Sequence, residues 1–373
     1  MTARIRIPLL KVAMPDEAVA AATEAMASGY IAQGQVVTRF EAGLATFLGH
    51  EDPIATADSA GTIALALRMA GVAPGDEVVT SPLACLATVT PIAAVGARPA
   101  WCDVDPATGM PGPEHLVAAI TARSRAILFY HWNGEVGDIG GAVAVGNRHR
   151  LPVIEDATEA LGAENGGQRL GRDGTFATVY SFQAVRHLTT IEGAALLMAD
   201  AAQRRRARRL RRYGIDLATF RTPEGEINPA SDIPEAGVYL PMNNVSAAVG
   251  LAGLKGIETR LAAYLANGRF FDEALAGTPG LRAPEYRPDT RPAYWTYSLR
   301  ADRRDDLARK LRAAGIGCQV LHLRADTYSC FGGHLADLPG VAVFAAETLS
   351  LPCGWWLSEE DRDFIVRCVR SGW

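Results

Sequence analysis

Lysine is nearly missing from this chain. Of 37 basic residues only Lys11, Lys255 and Lys310 are lysine, so chemistry that needs a side-chain amine has three places to look. The six cysteines form no CxxC pair. That spacing excludes a zinc ribbon and a disulfide framework and fits reduced thiols in the cytosol. No stretch approaches the roughly 20 apolar residues of a membrane helix, and the start MTARIRIPLLKVAMP lacks the apolar core of a secretion signal. No metal site, no membrane association and a cytoplasmic location are therefore expected. A surplus of positive charge is absent too. The formal net charge is -4, which gives no reason to expect nucleic acid as a partner. The arginine-rich stretch AAQRRRARRLRRYGI is read as a solvated helix face rather than a phosphate or RNA site.

What is present suits a large enzyme. Apolar residues make up 49% of 373 and charged residues 21%, enough to bury a substantial core and far from the profile of disorder. From residue 59 onward helical and short apolar segments alternate: GTIALALRMAGV, DEVVTS, LATVTPIAAVGA, RPAWCDVD, PEHLVAAIT, RAILFYH, AVAVGNRHR and LPVIEDA. This order predicts βαβ units around a mostly parallel sheet, with ligands at the C-terminal strand ends. His131 and Glu155-Asp156 fall at such ends. TFATVYSF and GAALLMA read as two further strands around the loop QAVRHLTTIE. A long helix over 244–276 and a β-α-β-α region from Tyr294, including a strand IGCQVLH, complete the reading. The expected division is 1–245 and 246–373.

In this order and spacing the segments SAGTIALAL, GVAPGDEVVTSP, GARPAWCDVDPATG, LPVIEDATEALGAENGGQRLG and LSLPCGWWLSEEDRDFIVRCV resemble the DegT/DnrJ/StrS family of sugar aminotransferases. Those are fold type I enzymes that use pyridoxal phosphate. The resemblance implies a large domain with a mostly parallel seven-stranded sheet, a smaller C-terminal α+β domain, and a homodimer with shared active sites. Ser59, Ala60, Gly61 and Thr62 would open a helix whose free N–H groups and positive dipole end suit the coenzyme phosphate. Ser181, and Asn243 and Asn244 from the neighbouring subunit, match further phosphate contacts. Asp156 matches the carboxylate that pairs with the pyridine nitrogen and makes the ring an electron sink. Cys85 falls over the ring as a packing residue. His131, Trp132, Trp295, Tyr297, His322 and Arg324 match positions near the substrate, Arg324 as a bidentate clamp for phosphate or carboxylate.

One residue breaks the pattern. SFQAVRHLTT is similar to a branch reading SFQAIKHLTT, with Arg186 where the Schiff-base lysine belongs. A guanidinium with a pKa above about 12 cannot supply the neutral amine that attacks an aldehyde. The resembling 3-dehydratases carry histidine at that position and hold pyridoxamine phosphate non-covalently. They also tend to show an acidic residue three places after the ring aspartate, here Glu159. The expectation is therefore non-covalent pyridoxal or pyridoxamine phosphate, a keto or amino sugar, nucleotide sugar or cyclitol as substrate, and elimination or one-way amine chemistry. Arg186 would pin an anion, while Glu159 or His187 would move protons. Two alternatives stay open: a coenzyme-independent enzyme on the same fold, and an inactive paralogue that partners an active aminotransferase.

Overall fold

A computed structural model describes residues 5–333 and 335–373. Two helices that periodicity did not single out come first, α1 (Asp16–Ala27) and α2 (Gln35–Leu48). Alternating strands and helices follow: β1 (Ile54–Thr56), α3 (Ser59–Met69), β2 (Glu77–Thr80), α4 (Leu86–Ala94), β3 (Arg98–Trp101), α5 (Pro113–Ala119), β4 (Ser124–Tyr130), α6 (Ile139–His149) and β5 (Val153–Asp156). A small hairpin, β6 (Glu164–Asn165) and β7 (Gln168–Arg169), leads into β8 (Ala177–Ser181), β9 (Ala194–Leu197) and α7 (Ala201–Leu210).

Seven of these strands form one sheet in the order β1-β9-β8-β5-β4-β2-β3, in which β9 alone runs against its neighbours. The central strands are buried on both faces, which is why they read as continuous apolar runs. Helix α3 packs on one side, with Ile63, Ala66 and Leu67 against Val78, Leu128 and Val179. Helix α6 covers the other side, with Ile139, Ala142 and Val145 beside Ile127 and Phe129.

The expected helix over 244–276 is two helices, α8 (Asn244–Leu254) and α9 (Ile257–Leu275). They part at Gly256, whose φ of -108° and ψ of 9° leave the helical region. Next come β10 (Leu281–Arg282), β11 (Thr290–Arg291), β12 (Tyr297–Ala301), α10 (Arg304–Ala313), α11 (Pro339–Glu347), β13 (Thr348–Leu351) and α12 (Glu359–Arg370). Strands β10, β12 and β13 form a second, antiparallel sheet. The segment IGCQVLH is not a strand; its β pairing among the described residues is limited to isolated bridges of Ile316 and Gln319. Ile316 bridges Ile7, and Ile7 lies in the C-terminal core with Tyr297, Leu349 and Ile365. The start of the chain thus packs with the unit expected to begin at residue 246.

Candidate active site

Strands β4, β5 and β8 are neighbours in the sheet and end at Tyr130, Asp156 and Ser181, so their C-terminal ends deliver three polar side chains to one place. Asp156 is fully buried and accepts hydrogen bonds from the Thr88 hydroxyl at 2.6 Å and the Thr158 N–H at 2.9 Å. Burial pushes its carboxyl up from the ordinary value, against the pull of those two donors. Each carboxylate oxygen has a second lone pair, so a further donor can still be accepted. Thr88 had no signal in the sequence, because only the fold brings α4 across the end of β5. Cys85, the residue before α4, is half-buried, and burial raises its thiol, in keeping with a packing role.

Helix α3 begins just after β1. Asp58 caps it by accepting from the Gly61 N–H at 2.6 Å, and the Thr62 N–H meets the Asp58 carbonyl at 3.3 Å. Those of Ser59 and Ala60 have no protein acceptor among the described residues. Thr62 is turned inward, its hydroxyl shared between Thr56 and the Asp58 carbonyl. The hydroxyl of Ser181 is buried and accepts only from the Gln183 N–H at 3.3 Å. Asn243 is exposed at the start of α8, where its side chain caps the helix through Ser246. Asn244 is committed elsewhere: its side-chain nitrogen donates to the Tyr30 carbonyl at 2.8 Å and its oxygen meets the Val37 N–H at 3.4 Å.

The loop between β8 and β9 is pinned at its base by Phe182 and Gly193 at 2.8 Å. It carries Arg186 inward, where the residue is only 8% exposed. The guanidinium stacks 4.1 Å above the Trp295 ring and lies 3.0 Å from the Glu159 carboxylate. Trp295 is itself fixed by donating to the Val185 carbonyl at 2.9 Å. Although Arg186 Nη1 is within ion-pair distance of Glu159, neither it nor Nε is aligned with a hydrogen-bond acceptor. Arg186 thus pairs its buried charge with Glu159 and keeps Nε without an acceptor. Lys11 and Lys255 are exposed, and Lys310 donates to Ser371 and Gly372 at the C-terminus. No lysine reaches the site.

Glu159 is the hub of the charged cluster and is fully buried. It accepts from the Tyr130 hydroxyl, from the Asn133 N–H at 3.1 Å and from His322 Nε2 at 2.9 Å. Burial alone would raise its carboxyl. The charges of His322 and Arg186 and the hydrogen bonds from His322 and Tyr130 outweigh that and hold it at about 2. A carboxyl this acidic carries no proton at neutral pH, so the expectation that Glu159 moves protons is corrected: it is a fixed anion. His322 donates to it through Nε2 and therefore has its other ring nitrogen as the basic one. Trp132 packs edge-on to His322 at 5.6 Å and donates to the Ser298 hydroxyl at 3.2 Å, which backs the imidazole from behind.

Four other expectations move. His187 points away from Arg186 into the core, where Nε2 donates to the Ala293 carbonyl at 3.1 Å and the ring meets Tyr264 at 4.5 Å. Burial pushes it down to about 3, so it is a neutral structural ring and no proton carrier. His131 is sealed beneath the site, accepting from the Gly137 N–H at 3.1 Å and donating to Glu155 at 3.0 Å. Tyr297 lies fully buried in the C-terminal core against Phe271. Arg324 spends its fork on Asp326, at 2.6 and 3.1 Å, and on the Ala336 carbonyl, so it does not clamp a ligand. These three are engaged within the protein, and Trp132 is likewise buried behind His322; Trp295 and His322 lie beside Arg186 and Glu159.

A pyridine ring bearing a phosphate fits what remains. Asp156 can accept from a ring N–H, the α3 N-terminus and Ser181 offer donors to a phosphate, and Arg186 Nε is left without an acceptor.

Comparison with known proteins bears on the family and the fold. A family model described as the DegT/DnrJ/EryC1/StrS aminotransferase family matches residues 13–370. The spore coat polysaccharide biosynthesis protein SpsC of Bacillus subtilis (strain 168) is 30% identical over 360 residues, 94% of this chain and 92% of SpsC. The crystal structure of AtS13 from Actinomadura melliaura is 36% identical, with a TM-score of 0.93 over 100% of both chains. The sugar aminotransferase CalS13 from Micromonospora echinospora is 35% identical, with a TM-score of 0.93 over 98% of this chain and 100% of CalS13.

Proposed function

The chain belongs to the DegT/DnrJ/EryC1/StrS aminotransferase family, and on that premise we propose that it acts on a keto or amino sugar, nucleotide sugar or cyclitol with pyridoxal or pyridoxamine phosphate held non-covalently. The substrate class rests on relatives named for polysaccharide biosynthesis and sugar amination. The observation that carries the reading is Arg186, buried over Trp295 with its Nε unclaimed and no lysine within reach.

Bound there, the coenzyme supplies an electron sink. Asp156 holds the ring nitrogen protonated, which the burial of its carboxylate favours by leaving its charge unsatisfied until a cation arrives. Ser59, Ala60 and Ser181 would donate to the phosphate, and the exposed Asn243 of a second copy would help hold the same group across a homodimer. Arg186 would pin an anionic group of coenzyme or substrate through Nε, which has no acceptor in the protein. Glu159 keeps the His322 tautomer fixed, so the second ring nitrogen of His322 takes up or returns the proton. Because Arg186 cannot bond covalently and release, the reaction is elimination or one-way amine transfer.

Titration of the purified protein with pyridoxamine phosphate, followed by absorbance, tests the reading. Saturable binding is expected, with no pyridoxyl group on any lysine by mass spectrometry after borohydride treatment of the pyridoxal form. No bound chromophore at millimolar coenzyme, or a pyridoxyl group on Lys11, Lys255 or Lys310, overturns it.

A further inference from the structure

The arginine-rich helix α7 does not behave as one solvated face. Its arginines separate into two sets. Arg204 pairs with Glu51, Arg206 with Glu235, and Arg208 and Arg211 with Glu41 at 3.0 and 2.9 Å. Arg205, Arg209 and Arg212 have neither a carboxylate nor a hydrogen-bond acceptor for their side chains among the described residues. Arg205 and Arg209, four residues apart, lie along one side of the helix, and Arg212 follows just past its C-terminus.

That side lines a cavity of about 390 Å³ formed by Arg205, Arg208, Arg209, Arg211 and Arg212 together with Gln33, Thr38, Glu41, Ile215, Asp216 and Leu217. Five guanidinium groups face two carboxylates, and both carboxylates are occupied. Glu41 is held by Arg208, Arg211 and the Ala55 N–H, while Asp216 accepts from the Ala218 N–H at 3.0 Å. Arg211 is only 4% exposed, yet its Nε has no acceptor. A protein leaves buried donors unpaired and like charges gathered only at a cost, which an incoming anion relieves.

We propose that this cavity binds a diphosphate group. Several planar forks converging on one space suit an anion with many acceptor oxygens, where single lysines would supply only point charges. The volume exceeds that of one phosphate, and Ile215 and Leu217 give it an apolar wall for whatever the diphosphate is attached to. The cavity shares no lining residue with the group around Asp156 and Arg186, so it stands or falls independently of the coenzyme reading.

Calorimetric titration of the full chain with inorganic pyrophosphate and with a nucleoside diphosphate, at low and at physiological salt, tests this. Saturable binding of one ligand per chain is expected for at least one of them. The Arg209→Ala/Arg212→Ala variant should bind at least about tenfold more weakly. Both side chains are unpaired, so its thermal midpoint should match that of the parent. The Arg209→Lys/Arg212→Lys variant should fall between, because charge is kept and the fork is lost. Tighter binding of the nucleoside diphosphate identifies a nucleotide-linked ligand, and equal binding identifies a free polyphosphate. Equal affinity in parent and alanine variant, or uptake that follows ionic strength without saturating, overturns the assignment.

Discussion

Replacing Glu159 by glutamine removes the anion on which Tyr130, Asn133, His322 and Arg186 converge while keeping the shape of the side chain. In the folded protein the carboxyl sits at about 2, against an ordinary value of 4.5. A difference of that size corresponds to about 3 kcal/mol of stability when the group is ionised. Loss of one partner of a buried ion pair costs about 3–5 kcal/mol, which is consistent. The sign is fixed by the direction of the shift: a depressed carboxyl contributes its full stability above about pH 4.5, and loses it as pH falls from there toward 2. Glu159→Gln should therefore be less stable than the parent by about 3 kcal/mol at pH 7. The gap should narrow through that acid window. Denaturant unfolding followed by tryptophan fluorescence at pH 7, 5 and 3 measures it, with Trp295 as a reporter beside the lost charge. A gap that stays constant across this range, or a loss under about 1 kcal/mol at pH 7, would refute the account of Glu159 as a fixed anion.

The buried ring of His187 has the opposite chemistry but the same pH sense: its stability is complete above about 6.5 and is lost as pH falls toward 3. His187→Gln, which keeps a donor for the Ala293 carbonyl, should abolish about 2–3 kcal/mol of that acid sensitivity, as read from unfolding at pH 7 and pH 4.5. Asp156→Asn should weaken coenzyme binding at least about tenfold in absorbance titration, since the charge that holds the ring nitrogen protonated is gone. His322→Gln should lower turnover by about a hundredfold or more and remove one limb of the pH-rate profile, whereas a merely structural role would leave the profile unchanged. Ile191 has a φ of +75° and is 48% exposed, so Ile191→Gly should raise stability by about 1 kcal/mol, strain relief exceeding the entropy cost of glycine. Thermal unfolding checks this.

The sheet was readable from the sequence because its strands are buried on both faces, so the apolar runs RAILFY and LPVI were unmistakable and placed Asp156 at a strand end. The loop carrying Arg186 was readable for the opposite reason, its polar composition between two apolar strands. The roles of the histidines were not. Whether His131, His187 or His322 faces a ligand depends on which acceptor the fold brings to each ring: Glu155, the Ala293 carbonyl and Glu159 are 24, 106 and 163 residues away in the chain. Arg324 was misjudged through a partner two residues off, because Asp326 in an exposed loop and Asp326 fully buried look the same in a sequence. The break at Gly256 left a mild signal, a glycine inside an amphipathic pattern.

Anyone shortening this protein for crystallisation should leave its beginning alone. Ile7 is only 2% exposed, and the Pro8 carbonyl receives the Trp356 indole N–H at 3.1 Å. Trimming to residue 12 would open a hole in a core built more than 250 residues downstream, so a disturbance made at one terminus should be felt as loosening near the other.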